Sequence, residues 1–133
     1  MLPRFLKGNL LFPIFLLGLA LRMYNLDSQS LWFDEAYSYK MSRLGLLGIL
    51  KTIVSESENH PPVYYWILHL WTSLLGYSEF SLRLFSAITG SLTIPLIYLF
   101  GKTIFNKTVG LFAALILATA PYQIYYAQEA RSY

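Results

Sequence analysis

Cysteine is absent from these 133 residues, which excludes disulfides, thiolate metal sites and a cysteine nucleophile, and leaves the redox compartment open. Charge is scarce as well, at 13% against about 25% for an average soluble domain. The ten Lys and Arg residues are scattered, with no run able to follow a phosphate backbone, so a nucleic-acid partner has no support. There is no GxGxxG or GxxxxGK fingerprint for a nucleotide, and no internal repeat, Gly/Ser linker or low-complexity tract marks a second soluble domain. What is abundant is apolar surface: 56% hydrophobic and 17% aromatic residues suit a chain whose solvent is lipid.

The apolar runs predict an all-α, polytopic membrane helix bundle with interfacial juxtamembrane helices. A first span is expected over about residues 5–24, the length of about 20 residues that a bilayer demands. Its alternative is a cleaved signal peptide, with Arg4 and Lys7 as the basic start and Gly18 and Ala20 near the cleavage point. Either way the following segment starts outside. Further spans are expected over 80–100, interrupted only by Arg83, and over 108–126, which carries no charge.

Small residues recur at four-residue spacing in both, Ser86 and Gly90, then Gly110, Ala114 and Ala118, so close helix packing is predicted. Pro95 and Pro121 each remove a backbone donor and are expected to kink their helices.

Between the first two spans, residues 25–79 hold six of the seven acids and form the external loop. Within it, residues 36–54 pattern as a helix lying on the membrane, with Leu44, Leu46, Leu47, Ile49 and Leu50 beside Lys40, Arg43 and Lys51. Residues 62–75 are apolar but short of spanning length, and Tyr64, Tyr65, Trp66 and Trp71 are types that collect at headgroups, so a second interfacial or re-entrant helix is predicted. If this segment does not cross, Lys102 and Lys107 fall on the cytoplasmic side with Arg4 and Lys7, as the positive-inside tendency favours. If it crosses, four spans result and both lysines lie outside.

On the three-span topology three polar clusters meet at the outer face: Trp32-Phe33-Asp34-Glu35, Asn59-His60-Pro61-Pro62 and Gln128-Glu129-Ala130-Arg131. Asp34 has an ordinary role open to it as the N-cap of the interfacial helix, with Glu35 in the first turn. Its sharper role follows from Trp32 and Phe33, which would anchor the loop at headgroup level. A partly desolvated carboxylate there is a better proton acceptor. Arg83 either snorkels to the headgroups or holds a phosphate with its bidentate fork, and Arg131 has the same two options. His60 with Glu129 is a candidate divalent-ion pair, although two ligands are too few to name a metal. His69, among apolar neighbours, reads as a packing residue.

The pieces LRMYNLDSQSLWFDEAYSY, ENHPPVYYWILHLW, SEFSLRLFSAITGSL and QIYYAQEARSY, in this order, resemble the start of the dolichyl-phosphate-mannose-protein mannosyltransferase-like family of GT-C glycosyltransferases, glycosyltransferase family 39. The resemblance runs from Leu21 to Tyr133 and implies a polytopic enzyme that takes a sugar from a polyprenyl-phosphate donor with inversion. It implies that Asp34 is the base that activates the acceptor and Glu35 a neighbour shaping the site. It puts Arg83 near the lipid phosphate and makes Gln128, Glu129 and Arg131 part of a second external motif. No cofactor is certain beyond the candidate divalent ion. The sugar and the acceptor are unassigned.

The expected setting is the plasma membrane of a prokaryote, with the N-terminus cytoplasmic and the loop external. Because QEARSY ends at Tyr133 directly after an apolar segment, the sequence is expected to be the N-terminal part of a longer reading frame with about six to ten further spans of about 20 residues each. Alone it is not expected to enclose a substrate pocket. Two other classes compete: a transporter or channel subunit, disfavoured because the middles of the second and third spans hold no ionisable residue, and a small non-catalytic membrane protein.

Overall fold

A computed structural model describes residues 10–26, 30–56 and 61–131. Its elements are α1 Leu11–Met23, α2 Phe33–Ser42, α3 Leu46–Glu56, α4 Pro62–Leu75, α5 Glu79–Ile104, α6 Lys107–Thr119 and α7 Pro121–Ala127. Among the described residues there is no strand. The chain divides into two compact units, one of residues 1–24 with 87–128, the other of 25–86 with 129–133.

In the first unit α1 packs against α6 and α7, over a core of Ile94, Tyr98, Ala114 and Ala118 bordered by Leu11, Ile14 and Leu117. The four-residue spacing of Gly110, Ala114 and Ala118 is the buried face of α6. Close approach is the reason for the small residues: a Cβ added at Gly110 would stand 2.6 Å from the Tyr98 carbonyl oxygen, and one at Gly90 2.8 Å from the Ala127 methyl.

The α6–α7 junction shows how a missing donor is replaced. Pro121 opens α7 after the extended residue Ala120, and the two helices diverge by 59°. In an unbroken helix the N–H of residue 121 would bond the Leu117 carbonyl, and proline has none. The fully buried Arg22 fills that place, donating from Nη2 to Leu117 O at 3.1 Å and from Nη1 to Ala118 O at 3.2 Å and Gly18 O at 3.1 Å. The Leu117 and Ala118 carbonyls belong to the negative end of α6, where a cation is favoured. Pro121 therefore ends one helix and starts another, beyond the kink expected of it. Pro95, by contrast, lies inside a continuous α5.

In the second unit the segment 36–54, expected as one helix, is two. α2 closes at Ser42 with tight-turn bonds from the Arg43 and Leu44 amides to the Lys40 and Met41 carbonyls, and α3 starts beyond Gly45. α4 packs against both. Pro62 in its first turn and Gly76 at φ +93° bracket it. Its aromatics turn inward more than the headgroup reading expects. Tyr65 joins Met41 and Ile49 in one cluster. Trp66 donates its indole N–H to Leu46 O at 3.2 Å and Trp71 to Ser81 O at 2.9 Å. His69 packs as expected and also donates from Nδ1 to the Ser42 carbonyl at 2.7 Å, tying α4 to the end of α2.

Among the described residues one helix, α5, is long and apolar enough to cross a membrane by itself, and only 28% of its most apolar stretch is buried. α6 and α7 pass the same test only as one broken span, and α1 is a shorter apolar helix.

Candidate functional site

The site is assembled within the second unit from three stretches of sequence: the start of α2, the first turns of α5, and residues 129–131 after α7. Trp32, with extended backbone, is the N-cap of α2, which places Asp34 and Glu35 in the first turn and gives Asp34 no capping role. The cap is made from the other side. Glu35, three residues on, reaches back and accepts the Trp32 N–H on Oε2 at 3.1 Å.

Glu35 is 1% exposed and fully engaged. Arg83 donates to it through a fork, Nε to Oε1 at 2.9 Å and Nη2 to Oε2 at 2.7 Å. The Ala130 N–H adds a bond to Oε1 at 3.0 Å. Each oxygen thus accepts two hydrogen bonds, the capacity of an ionised carboxylate. Burial alone would raise the Glu35 pKa. The Arg83 hydrogen bonds, the Ala130 and Trp32 amides and the Arg83 charge outweigh it and hold the carboxyl below its ordinary range.

Arg83 neither snorkels nor presents its fork outward. It is 4% exposed and also donates from Nη1 to Leu26 O at 3.0 Å and from Nη2 to Ser30 O at 3.3 Å. It gathers the start of the loop, the start of α2 and α5 around one guanidinium.

Asp34 has the opposite environment. Its side chain is 49% exposed and forms an ion pair with Arg131, itself 37% exposed. Arg131 Nη1 also lies 3.7 Å from Glu129 Oε2. Two consecutive residues of α2 thus meet two consecutive residues after α7: Glu35 takes the Ala130 amide, and Asp34 takes the Arg131 side chain. Trp32 and Phe33, just before them, are 62% and 88% exposed.

Of the residues predicted from sequence, Asp34, Glu35, Arg83, Glu129 and Arg131 come together. Gln128 is engaged within the first unit instead, where its Nε2 donates to Tyr24 O at 2.8 Å and lies 3.3 Å from Arg22 O, closing the end of α1. His60 lies outside the described residues. Among the described residues no three His, Cys, Asp or Glu side chains converge to hold a metal ion.

Sequence reasoning missed four contributors. The Ala130 amide and the Leu26 and Ser30 carbonyls are backbone groups that no residue type announces. Tyr64 carries a buried hydroxyl beside Ser38 and Ser86. Burial, with help from the neighbouring Tyr65 and then from the charge on Glu35, pushes its phenol well above the ordinary range, so it stays neutral.

Residues 59–130 match the family described as "Dolichyl-phosphate-mannose-protein mannosyltransferase". The chain is also 35% identical over 106 residues to an "Uncharacterized protein" of Aquifex aeolicus (strain VF5), an alignment covering 75% of this chain and 21% of that protein. It therefore spans about a fifth of the length of this curated relative. No solved structure matches. With more than half of its residues matched, this chain belongs to the dolichyl-phosphate-mannose-protein mannosyltransferase family.

Proposed function

We propose that the chain carries the acceptor-activating loop of an integral membrane glycosyltransferase, one that moves a sugar from a polyprenyl-phosphate donor to an acceptor with inversion at the anomeric carbon. The observation that carries this reading is the division of labour between Asp34 and Glu35. Glu35 has all its acceptor sites filled by buried donors and is the anchor. Asp34, next to it on the same rigid helix start, is half exposed and is the base.

In the proposed step the acceptor oxygen or nitrogen attacks the anomeric carbon from the face opposite the donor phosphate, and its proton passes to Asp34. The bond from the anomeric carbon to the phosphate oxygen breaks, and the electron pair leaves with the lipid phosphate. A cation at that oxygen helps the transition state more than the ground state. The burial of Arg83 and the partial exposure of Arg131 support giving that place to Arg131, with Arg83 positioning Glu35. The Trp32 and Phe33 rings fit a loop resting at headgroup level. The exposed stripe Leu92, Leu96, Leu99 and Phe100 on α5 fits a lipid-facing span.

The proposed setting is a prokaryotic plasma membrane with spans over 5–24, 80–100 and 108–126, the N-terminus cytoplasmic and the loop 25–79 external. The test is Asp34→Asn in the longest reading frame that contains this chain, assayed for sugar transfer from a polyprenyl-phosphate donor. Transfer is expected to fall by about 10²–10⁴-fold, the range for losing a general base, with donor binding not weakened. Turnover at the wild-type rate removes Asp34 as the base.

A further inference from the structure

Arg131 is held differently at its two ends. Its chain neighbour Ala130 is buried and fixed to Glu35 by the hydrogen bond that its backbone N–H donates to Oε1 at 3.0 Å. Its guanidinium is part exposed and paired with the carboxylate that the proposed reaction needs as a base. A carboxylate neutralised by an arginine is a poorer proton acceptor than the same group released from it.

The charges in this cluster add a constraint. Asp34, Glu35 and Glu129 stand against Arg83 and Arg131, and Glu35 already engages the fork of Arg83. A phosphate added to this set meets three carboxylates against two guanidiniums, which favours its replacing a carboxylate, and the half-exposed Asp34–Arg131 pair is weaker and more open to exchange than the buried Glu35–Arg83 pair.

We propose that Arg131 is a phosphate-binding site in which the incoming phosphate and Asp34 compete for the same guanidinium, so that binding the phosphate frees Asp34. The ligand class is a phosphate monoester or diester, lipid-borne or free. The exchange is carried by the side chain alone: Ala130 stays on Glu35 while the Arg131 guanidinium turns from Asp34 to the phosphate. The consequence of this exchange for catalysis rests on the reading of Asp34 as a base. The competition itself does not.

The test measures binding of farnesyl phosphate and of inorganic phosphate to the protein, expressed from the longest reading frame containing this chain, in detergent micelles. Asp34→Asn is expected to bind phosphate roughly tenfold more tightly than wild type, because a competing charge is gone. Arg131→Gln is expected to bind at least about tenfold more weakly, Arg131→Lys to keep most of the affinity, and Asp34→Asn with Arg131→Gln to match Arg131→Gln alone. The effect seen with farnesyl phosphate alone assigns the site to a lipid-borne phosphate, and equal effects with both probes assign it to the phosphate group itself.

Asp34 and Arg131 are both part exposed, so these variants are expected to fold, and unchanged helical circular dichroism checks that. Asp34→Ala should move affinity in the same direction as Asp34→Asn. Wild-type affinity in both Asp34 variants overturns the competition, and wild-type affinity in Arg131→Gln overturns the site. Transfer lost by Asp34→Asn with phosphate affinity unchanged would leave the base and remove the competition. Transfer retained with tighter phosphate binding would do the reverse.

Discussion

Asp34 and Glu35 differ by one methylene, yet their surroundings give them opposite tasks. Glu35 is buried under four donors, so losing its cation leaves an uncompensated charge in the interior. Arg83→Met is expected to destabilise the protein by about 3–5 kcal/mol, the range for breaking a buried pair from one side. Arg83→Met with Glu35→Leu should recover part of that, and denaturant titration in detergent measures both.

The lowered pKa of Glu35 adds a sign. It contributes stability that is fully present above the ordinary glutamate value of about 4.3 and is lost as pH falls through its lower folded value. Thermal melting between neutral pH and about pH 3 should show that loss in wild type and a flatter profile in Glu35→Gln. The importance of the Asp-Glu pair was legible in the sequence. Which member does which task was not, because Arg83 and Ala130 lie 48 and 95 residues away from Glu35.

Individual helices follow their local signals where those signals are self-contained. Pro62 and Gly76 bracket α4, and Asn106 caps α6 by accepting the Val109 N–H at 3.0 Å. They depart where a distant partner decides. The break between α2 and α3 places the Ser42 carbonyl where His69 can reach it, and no periodicity within 36–54 carries that information.

Pro121 announced a lost donor, but its replacement by Arg22 could not be read from either residue alone. Arg22→Met should cost about 1.5–3 kcal/mol for each charged hydrogen bond not remade, since Leu117 O and Ala118 O then lose their buried partner. Pro121→Ala restores an N–H for Leu117 O, so Arg22→Met should cost less in that background. A double-mutant cycle measures the coupling, and strict additivity would contradict the substitution of one donor for another.

At the scale of the molecule, the apolar composition foretold helices, and the family match is consistent with the resemblance carried by four short motifs. The expected number of spans was less legible, because α6 and α7 form a broken pair whose junction is held by Arg22 of α1, a distant residue. The proposed topology makes a clean prediction because the chain has no cysteine of its own. A thiol at the exposed Phe105, between Lys102 and Lys107, should resist an impermeant external label, while one at the exposed Ser55 should accept it. Labelling at Phe105 would favour a fourth crossing segment.

The account turns most on the separation of chemistry from anchoring at the Asp-Glu pair. Its most direct test compares single-turnover sugar transfer and thermal stability in Asp34→Asn and Glu35→Gln side by side. Asp34→Asn is expected to melt like wild type with transfer lowered by about 10²–10⁴-fold, and Glu35→Gln to melt well below it. An Asp34→Asn protein that transfers sugar normally, beside a Glu35→Gln protein that is stable but inactive, would contradict the account.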